Sequence, residues 1–184
     1  DFSPAAIEAS VRISLMRLGV EGADALFLHG AEAGELTPAL LRRLSELRAA
    51  GAFQLLGAAG RGPELDAALG TGRFDVIMAP VHPFVGLTGE RRLKAAAEKG
   101  VGVFAIETAG PGPAAIRWPR KPSDLYGLAK RAAAPARGPR IPTEEGLVKA
   151  LARPGVVCAL ATTSRLAHLR ANAAAAGVTA AAPA

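Results

Sequence analysis

The sequence contains a single cysteine, few aromatic residues and no long apolar run. Because Cys158 is the only thiol among 184 residues, the chain can form neither an internal disulfide nor a cysteine-rich metal site. No segment reaches the roughly 18 consecutive apolar residues of a membrane-spanning helix, and the first residues lack the pattern of a signal peptide. These absences predict a soluble protein of a reducing compartment, the cytoplasm.

Aromatic side chains make up only 4% of the residues, although half of the residues are hydrophobic by type. The core therefore has to be built from Leu, Val, Ile and Ala. We predict a single domain over residues 1–184, with a basic, Pro-rich loop insertion at 110–142. The formal net charge is +6, but only Trp118 and Tyr126 offer stacking surfaces in the basic insertion, so nucleic-acid binding is not expected.

Two kinds of apolar segment alternate along the chain. Short apolar runs, the first of them followed by Gly30, predict buried strands, and segments with apolar residues three and four apart predict amphipathic helices. The predicted strands are 24–29, 53–58, 74–79, 101–106 and 156–160, and the predicted helices are 5–18, 38–50, 63–69, 90–99, 123–133, 144–152 and 164–176. Ser3-Pro4 and Thr37-Pro38 are typical of helix starts.

Strands that alternate with helices predict a parallel α/β fold, either a doubly wound sheet or a (β/α)₈ barrel. In both architectures, ligands bind at the C-terminal ends of the strands. No Gly-x-Gly-x-x-Gly motif follows an early strand, and the glycines from Gly57 to Gly62 have a different spacing. The absence of this dinucleotide-binding motif favours the barrel.

Residues 7–19, IEASVRISLMRLG, and residues 24–29, DALFLH, resemble a segment of the aldo/keto reductase family, in which SLxRLG leads into DxxxxH. Segments 44–51, 53–57, 73–77, 99–106 and 153–156 agree with the family in order. Residues 162–172 resemble the phosphate-binding and adenine-binding loop and helix that follow the eighth strand. The resemblance covers essentially the whole chain and implies a (β/α)₈ TIM-type barrel whose first three strands are absent from this sequence.

The resemblance implies an NAD(P)H-dependent oxidoreductase that reduces aldehyde or ketone carbonyls of small molecules to alcohols. Family members carry an Asp, a Tyr, a Lys and a His in the active site, and His29 is the one position of the four that this chain matches. Its imidazole would orient the carbonyl oxygen of the substrate. The alternative is a strand-end histidine that is hydrogen-bonded to the backbone.

The cofactor implied by the resemblance is NADP or NAD. Seven residues match its binding positions: Thr162, Thr163, Ser164 and Arg165 at the adenosine phosphate, Asn172 at the adenine, and Thr108 and Gly110 near the pyrophosphate. The same hydroxyl residues are also typical of an ordinary helix N-terminus. No metal site is expected, because the three histidines lack ligand spacing.

Four positions depart from the family pattern. Ala58 and Ala59 stand where the family commonly has Ser-Asn, Met78 replaces a Gln, and Val81 replaces the aromatic residue that stacks on the nicotinamide. Each change removes a hydrogen-bonding group or a ring face from the nicotinamide subsite. The alternative function is therefore a catalytically degenerate family member that acts as a nucleotide-sensing or protein-binding module.

Overall fold

The computed structural model describes residues 1–111 and 138–177, in which five strands alternate with six helices. The strands are β1 (Ala23–His29), β2 (Phe53–Ala59), β3 (Val76–Pro80), β4 (Gly102–Ile106) and β5 (Val156–Ala159). The helices are α1 (Pro4–Leu18), α2 (Pro38–Ala49), α3 (Pro63–Thr71), α4 (Gly86–Glu98), α5 (Thr143–Leu151) and α6 (Leu166–Ala175). None of these helices is long and apolar enough to cross a membrane. The helix predicted over 123–133, and most of the insertion predicted at 110–142, lie outside the described residues.

The starts of α1 and α2 follow directly from the sequence. Ser3 and Thr37 are the N-cap residues, and their hydroxyls accept hydrogen bonds from the N–H groups of Ala6 (3.3 Å) and Leu40 (3.2 Å). A proline follows each cap, where its fixed φ angle suits the first helical turn. α1 is closed by Gly19, whose φ of 68° lies in the left-handed region that glycine adopts without strain. The predicted caps are confirmed.

All five strands form one parallel sheet in the chain order β1-β2-β3-β4-β5. Each connection therefore moves the chain one strand further in the same direction. Because such crossovers are right-handed, connections that all step in one direction place their helices on one face of the sheet. A doubly wound sheet instead reverses its direction and has helices on both faces. The strand order confirms the barrel-type fold that the sequence predicts.

Alternate strand residues face the helices. One row of aligned residues crosses the sheet on this face and consists of Leu28, Ala58, Ile77 and Val103. These side chains are at most 6% exposed and share one hydrophobic core with residues of α1, α2, α3, α4 and α5. The main core thus lies between the sheet and a single helical layer.

The opposite face of the sheet, which we call the inner face, lines the interior in a barrel. One row on it consists of His29, Ala59, Met78 and Phe104. Deeper on this face, a Cβ atom at Gly57 would lie 2.4 Å from Cδ1 of Phe27, whose ring centroid is 5.5 Å from that of Phe104. The glycine is therefore required where the aromatic ring packs against the strand backbone.

Several element boundaries differ from the sequence prediction, and the largest difference, of four residues, is at the start of α4. β3 begins at Val76 rather than at 74, and the carboxylate of Asp75, just before the strand, accepts a hydrogen bond from the N–H of Leu56 (2.8 Å). α4 begins at Gly86 rather than at 90. The sequence misled here because Gly86 and Gly89 have low intrinsic helix propensity, which the tertiary structure overrides.

Candidate functional site

The C-terminal ends of the five strands meet at one edge of the sheet, and His29 is the last residue of β1 at this edge. Its side chain is exposed and shares the inner-face row with Ala59 and Met78. Within residues 1–111 and 138–177, the imidazole takes part in no hydrogen bond, so the alternative of a backbone-bonded histidine has no support there. The ring is available to a molecule bound at the inner face.

The four departures from the family pattern do not share one face of the sheet. Ala59 and Met78 are aligned neighbours on the inner face beside His29. Ala58 and Val81, by contrast, belong to the core between the sheet and the helices, where Val81 is 1% exposed. The assignment of Ala58 and Val81 to a nicotinamide subsite is therefore wrong, because their side chains point away from the inner face.

The segment predicted to bind the adenosine phosphate precedes α6. The helix begins at Leu166, two residues after the predicted start, and Arg165 occupies the N-cap position without a side-chain cap. The hydroxyl of Thr163 accepts a hydrogen bond from the N–H of Arg165 (3.2 Å), which forms a turn before the helix. Thr162, Ser164 and Arg165 are exposed.

Asn172 lies on α6 and is only 9% exposed, yet its Oδ1 atom has no hydrogen-bond partner within the described part of the chain. A buried acceptor without a donor costs about 1–3 kcal/mol, and a donor on a bound molecule would relieve that cost. Thr108 is also buried, at 4% exposure. Gly110 has a φ of 92°, and a Cβ there would lie 2.6 Å from the carbonyl oxygen of Pro139, so only glycine fits.

The same edge of the sheet holds a charged cluster that the sequence analysis missed. Arg61 follows β2 and Glu107 follows β4, and Nη2 of Arg61 lies 2.7 Å from Oε1 of Glu107. The pair connects two loops that are separated by β3. Glu107 has a φ of 53°, an uncommon value for a residue other than glycine.

A second ion pair links α3 to α4. Nε and Nη2 of Arg92 donate to the two carboxylate oxygens of Asp66, each at 2.7 Å, in a bidentate arrangement. Arg92 is 7% exposed, whereas the side chain of Asp66 is 47% exposed. The guanidinium is thus a buried charge whose partner remains in contact with solvent.

The carboxylate of Glu64 closes the N-terminal turn of α3. Its Oε1 atom accepts hydrogen bonds from the N–H groups of Arg61 (2.6 Å) and Gly62 (2.8 Å). Burial acts to raise the pKa of Glu64, but hydrogen bonds from the N–H groups of Gly62, Glu64 and Arg61, together with the charge of Arg92, outweigh it and lower that pKa below its usual value. The carboxylate therefore remains charged and caps the loop.

His82 lies just beyond β3 and is 7% exposed. Its Nδ1 atom accepts a hydrogen bond from the N–H of Phe84 (3.1 Å), which places the ring proton on Nε2 in the neutral imidazole. Burial lowers the pKa of His82, although the nearby charge of Glu107 acts in the opposite direction. Across residues 1–111 and 138–177, no group of three or more His, Cys, Asp or Glu side chains is arranged to hold a metal ion.

No protein-family model matches the chain, and no curated protein matches it. Solved structures of aldo-keto reductases do match. The holo form of aldo-keto reductase AKR11C1 from Bacillus halodurans is 22% identical over 99% of this chain, with a TM-score of 0.69. Aldo-keto reductase AKR2E5 of the silkworm, Bombyx mori, is 19% identical over 92% of it, with a TM-score of 0.63, and the same protein has been solved in complex with NADPH.

The chain spans 65% of the length of the Bacillus enzyme and 54% of that of the silkworm enzyme. At identities of 22% and 19%, these similarities show that the chain shares the fold of the two enzymes. This fold agrees with the parallel strand order and with the single helical layer. The described residues therefore have the fold of part of an aldo-keto reductase (β/α)₈ barrel, as the sequence resemblance predicts.

Proposed function

We propose that this protein functions as an NADP- or NAD-dependent aldo-keto reductase that reduces aldehyde or ketone carbonyls of small molecules to alcohols. The observation that carries the proposal is His29 at the C-terminal end of β1 on the inner face, where its imidazole takes part in no hydrogen bond with residues 1–111 or 138–177. The fold shared with aldo-keto reductases and the agreement of DALFLH with the family pattern support this role. A complete barrel would enclose the inner face and exclude water from it.

His29 would act by holding the substrate. A neutral imidazole donates a hydrogen bond from one ring nitrogen, and that bond would orient the carbonyl oxygen and draw electron density from the carbonyl carbon. Proton donation requires a second group, which the resemblance assigns to a Tyr assisted by a Lys and an Asp. The only tyrosine of this sequence, Tyr126, lies outside the described residues. We therefore expect the 184-residue chain alone to reduce no aldehyde.

Residues before and within α6, together with the loop after β4, would hold the adenosine half and the pyrophosphate of a dinucleotide. The Oδ1 atom of Asn172, which is buried and has no partner in the described part of the chain, would accept a hydrogen bond from an exocyclic amine. Thr162, Ser164 and the guanidinium of Arg165 are exposed and would contact a phosphate, while Thr108 and Gly110 belong to the loop after β4. A bound nicotinamide cofactor would supply the hydride for carbonyl reduction.

One observation favours the alternative, a catalytically degenerate member that senses nucleotides or binds a protein partner. Ala59 and Met78 lie beside His29 on the inner face, and neither offers a donor or acceptor to a nicotinamide amide. The two functions are distinguished by whether the protein reduces an aldehyde with NADPH. In a full barrel, loss of aldehyde reduction in a His29→Ala variant would support the reductase, and binding of NADPH without any turnover would support the alternative.

Calorimetry with NADPH and with 2′,5′-ADP tests the nucleotide site directly. The Arg165→Ala variant should weaken binding of both ligands by about 1–3 kcal/mol, because a charge-assisted contact to phosphate is lost. Arg170→Ala, an exposed arginine on the same helix, is the matched control and should change neither affinity by more than about 0.5 kcal/mol. Equal losses in both variants would indicate general electrostatic attraction rather than a specific contact. If Arg165→Ala has no effect on either affinity, residues 162–165 only form the start of α6 and do not bind the phosphate.

A further inference from the structure

The ion pair between Arg61 and Glu107 uses only one side of the guanidinium. Nε of Arg61 donates a hydrogen bond to Oε1 of Glu107 (2.8 Å), and Nη2 lies 2.7 Å from the same oxygen. Nη1 is at the outer end of the group and makes no hydrogen bond within residues 1–111 and 138–177. Because a guanidinium carries five N–H donors in a planar fork, its outer end is able to bind a second oxyanion.

The backbone of Arg61 is held in place, whereas the end of its side chain is accessible. The N–H of Arg61 donates to Oε1 of Glu64 (2.6 Å), and its carbonyl oxygen lies 3.5 Å from Nη1 of Arg92. The Arg61 side chain is nevertheless 62% exposed. A cavity of about 420 Å³, lined by Arg61, Arg92 and Glu107 among others, adjoins the pair. The loop therefore presents the guanidinium from a fixed position, which lowers the entropic cost of binding a ligand there.

Glu107 stands directly before the residues that the proposed function assigns to the cofactor pyrophosphate, Thr108 and Gly110. The N–H of Gly110 donates to the carbonyl oxygen of Glu107 (2.7 Å), so the three residues belong to one tight turn. The Glu107 side chain is only 29% exposed. Two negative charges repel more strongly where water is partly excluded. The Glu107 carboxylate therefore opposes the anion that this turn is proposed to bind.

Arg61 supplies the positive charge that removes this conflict, although it is not among the residues that the resemblance matches to the cofactor. We propose that Arg61 is a further cofactor-binding residue, which holds Glu107 through Nε and Nη2 and donates from Nη1 to the pyrophosphate of a bound dinucleotide. The inference rests on the proposed function, from which it takes the ligand and the position of its pyrophosphate. Glu107 is then a positioning residue, because it orients the guanidinium without contacting the cofactor.

The two members of the pair should affect nucleotide binding in opposite directions. Loss of Arg61 leaves the charge of Glu107 uncompensated beside the pyrophosphate. Loss of the Glu107 charge leaves the full charge of Arg61 to the pyrophosphate. If the pair only fixed the two loops, loss of either partner would weaken binding, because both losses break the same contact. The sign of the Glu107 effect therefore separates ligand binding from a structural role.

Two ligands isolate the contact, 2′-AMP and 2′,5′-ADP, because they differ only in a 5′-phosphate. This group corresponds to the phosphate of the pyrophosphate that is attached to the adenosine. In calorimetry on the 184-residue chain, Arg61→Met should weaken binding of 2′,5′-ADP about tenfold to a hundredfold, because a charge-assisted contact is lost. The affinity for 2′-AMP should change less than about twofold, which also shows that the variant is folded.

Glu107→Gln keeps the shape of the side chain and an oxygen that accepts from Arg61, but removes the negative charge. It should strengthen binding of 2′,5′-ADP about threefold to tenfold, a gain that misfolding cannot produce. Arg73→Met is the matched control, since Arg73 is exposed and precedes β3, at the opposite edge of the sheet. It removes the same charge as Arg61→Met and should change neither affinity by more than about twofold.

Each remaining outcome contradicts a specific step. If the unmodified chain binds neither ligand, the proposed nucleotide site is wrong, and this inference with it. If 2′-AMP binds but Arg61→Met leaves the affinity for 2′,5′-ADP unchanged, the nucleotide site stands and only the role of Arg61 is wrong. Equal losses for both ligands, or weaker binding of 2′,5′-ADP to Glu107→Gln, would show that the pair acts through the structure of the loops alone.

Discussion

The ion pair between Arg92 and Asp66 should respond very differently to removal of each partner. Arg92 is 7% exposed and Asp66 is 47% exposed, so the two charges have unequal access to water. We expect Asp66→Ala to destabilise the fold more than Arg92→Met, although the aspartate is the more exposed residue. The reason is the charge that each substitution leaves behind.

Asp66→Ala leaves a buried guanidinium without its two 2.7 Å hydrogen bonds. Breaking a fully buried pair in this way costs about 3–5 kcal/mol, and the adjoining cavity lets water reach part of Arg92, so we expect about 2–4 kcal/mol. Arg92→Met keeps most of the side-chain volume and leaves a half-exposed carboxylate that water can solvate. That change should cost about 1 kcal/mol.

Urea unfolding followed by circular dichroism measures both changes in the free energy of unfolding. Glu98→Ala is the matched control, since its partner Lys94 is 77% exposed and the pair should contribute less than about 0.5 kcal/mol. The double variant Asp66→Ala/Arg92→Met should be no less stable than Asp66→Ala alone. If Arg92→Met costs as much as Asp66→Ala, burial of the guanidinium does not control this pair and the reasoning fails.

Four further outcomes follow from the structure. Gly57→Ala should destabilise the fold by about 1–3 kcal/mol in urea unfolding, because the new Cβ would displace the ring of Phe27. Gly70→Ala should raise the free energy of unfolding by about 0.5–1 kcal/mol, since this residue lies within α3 with open space around it. The lowered pKa of Glu64 contributes stability above the ordinary glutamate pKa, roughly 4.3, which is lost as the pH falls through the lower folded value. A Glu64→Gln variant should therefore show a flatter acid limb in its stability profile. The pKa of His82 is lowered by burial, so the unfolded chain binds the proton more readily and stability should fall as the pH drops below roughly 6.5. A His82→Gln variant that kept this slope would contradict the assignment.

The fold could be predicted from the sequence because its signals are local. Apolar runs of strand length, helix caps such as Ser3 and Thr37, and closing glycines such as Gly19 each act within a few residues, and the structure confirms them. The order in which strands and helices alternate then leaves few topologies to choose from. Errors fall where local propensity competes with packing, as at the glycines of the first turn of α4.

The charged cluster could not be predicted in the same way. Arg61 and Glu107 are 46 positions apart in sequence, and Arg92 and Asp66 are 26 apart, so no local pattern connects them. The face of the sheet on which a side chain lies also determines which site it can reach. The family resemblance assigns Val81 to the nicotinamide subsite, but the alternation of side chains along β3 and just beyond it turns Val81 into the core beneath the helices.

The strictly sequential strand order also affects how the protein is assembled. Among the described residues, each strand pairs with the strands that precede and follow it in sequence, so each new pairing closes a loop that contains one crossover. Such closures have a modest entropic cost, and none has to wait for a distant part of the chain. During synthesis, the sheet is able to grow one strand at a time from the N-terminal side, with each helix covering the strand pair that has just formed. Folding of this chain should therefore proceed as directional growth along the sequence.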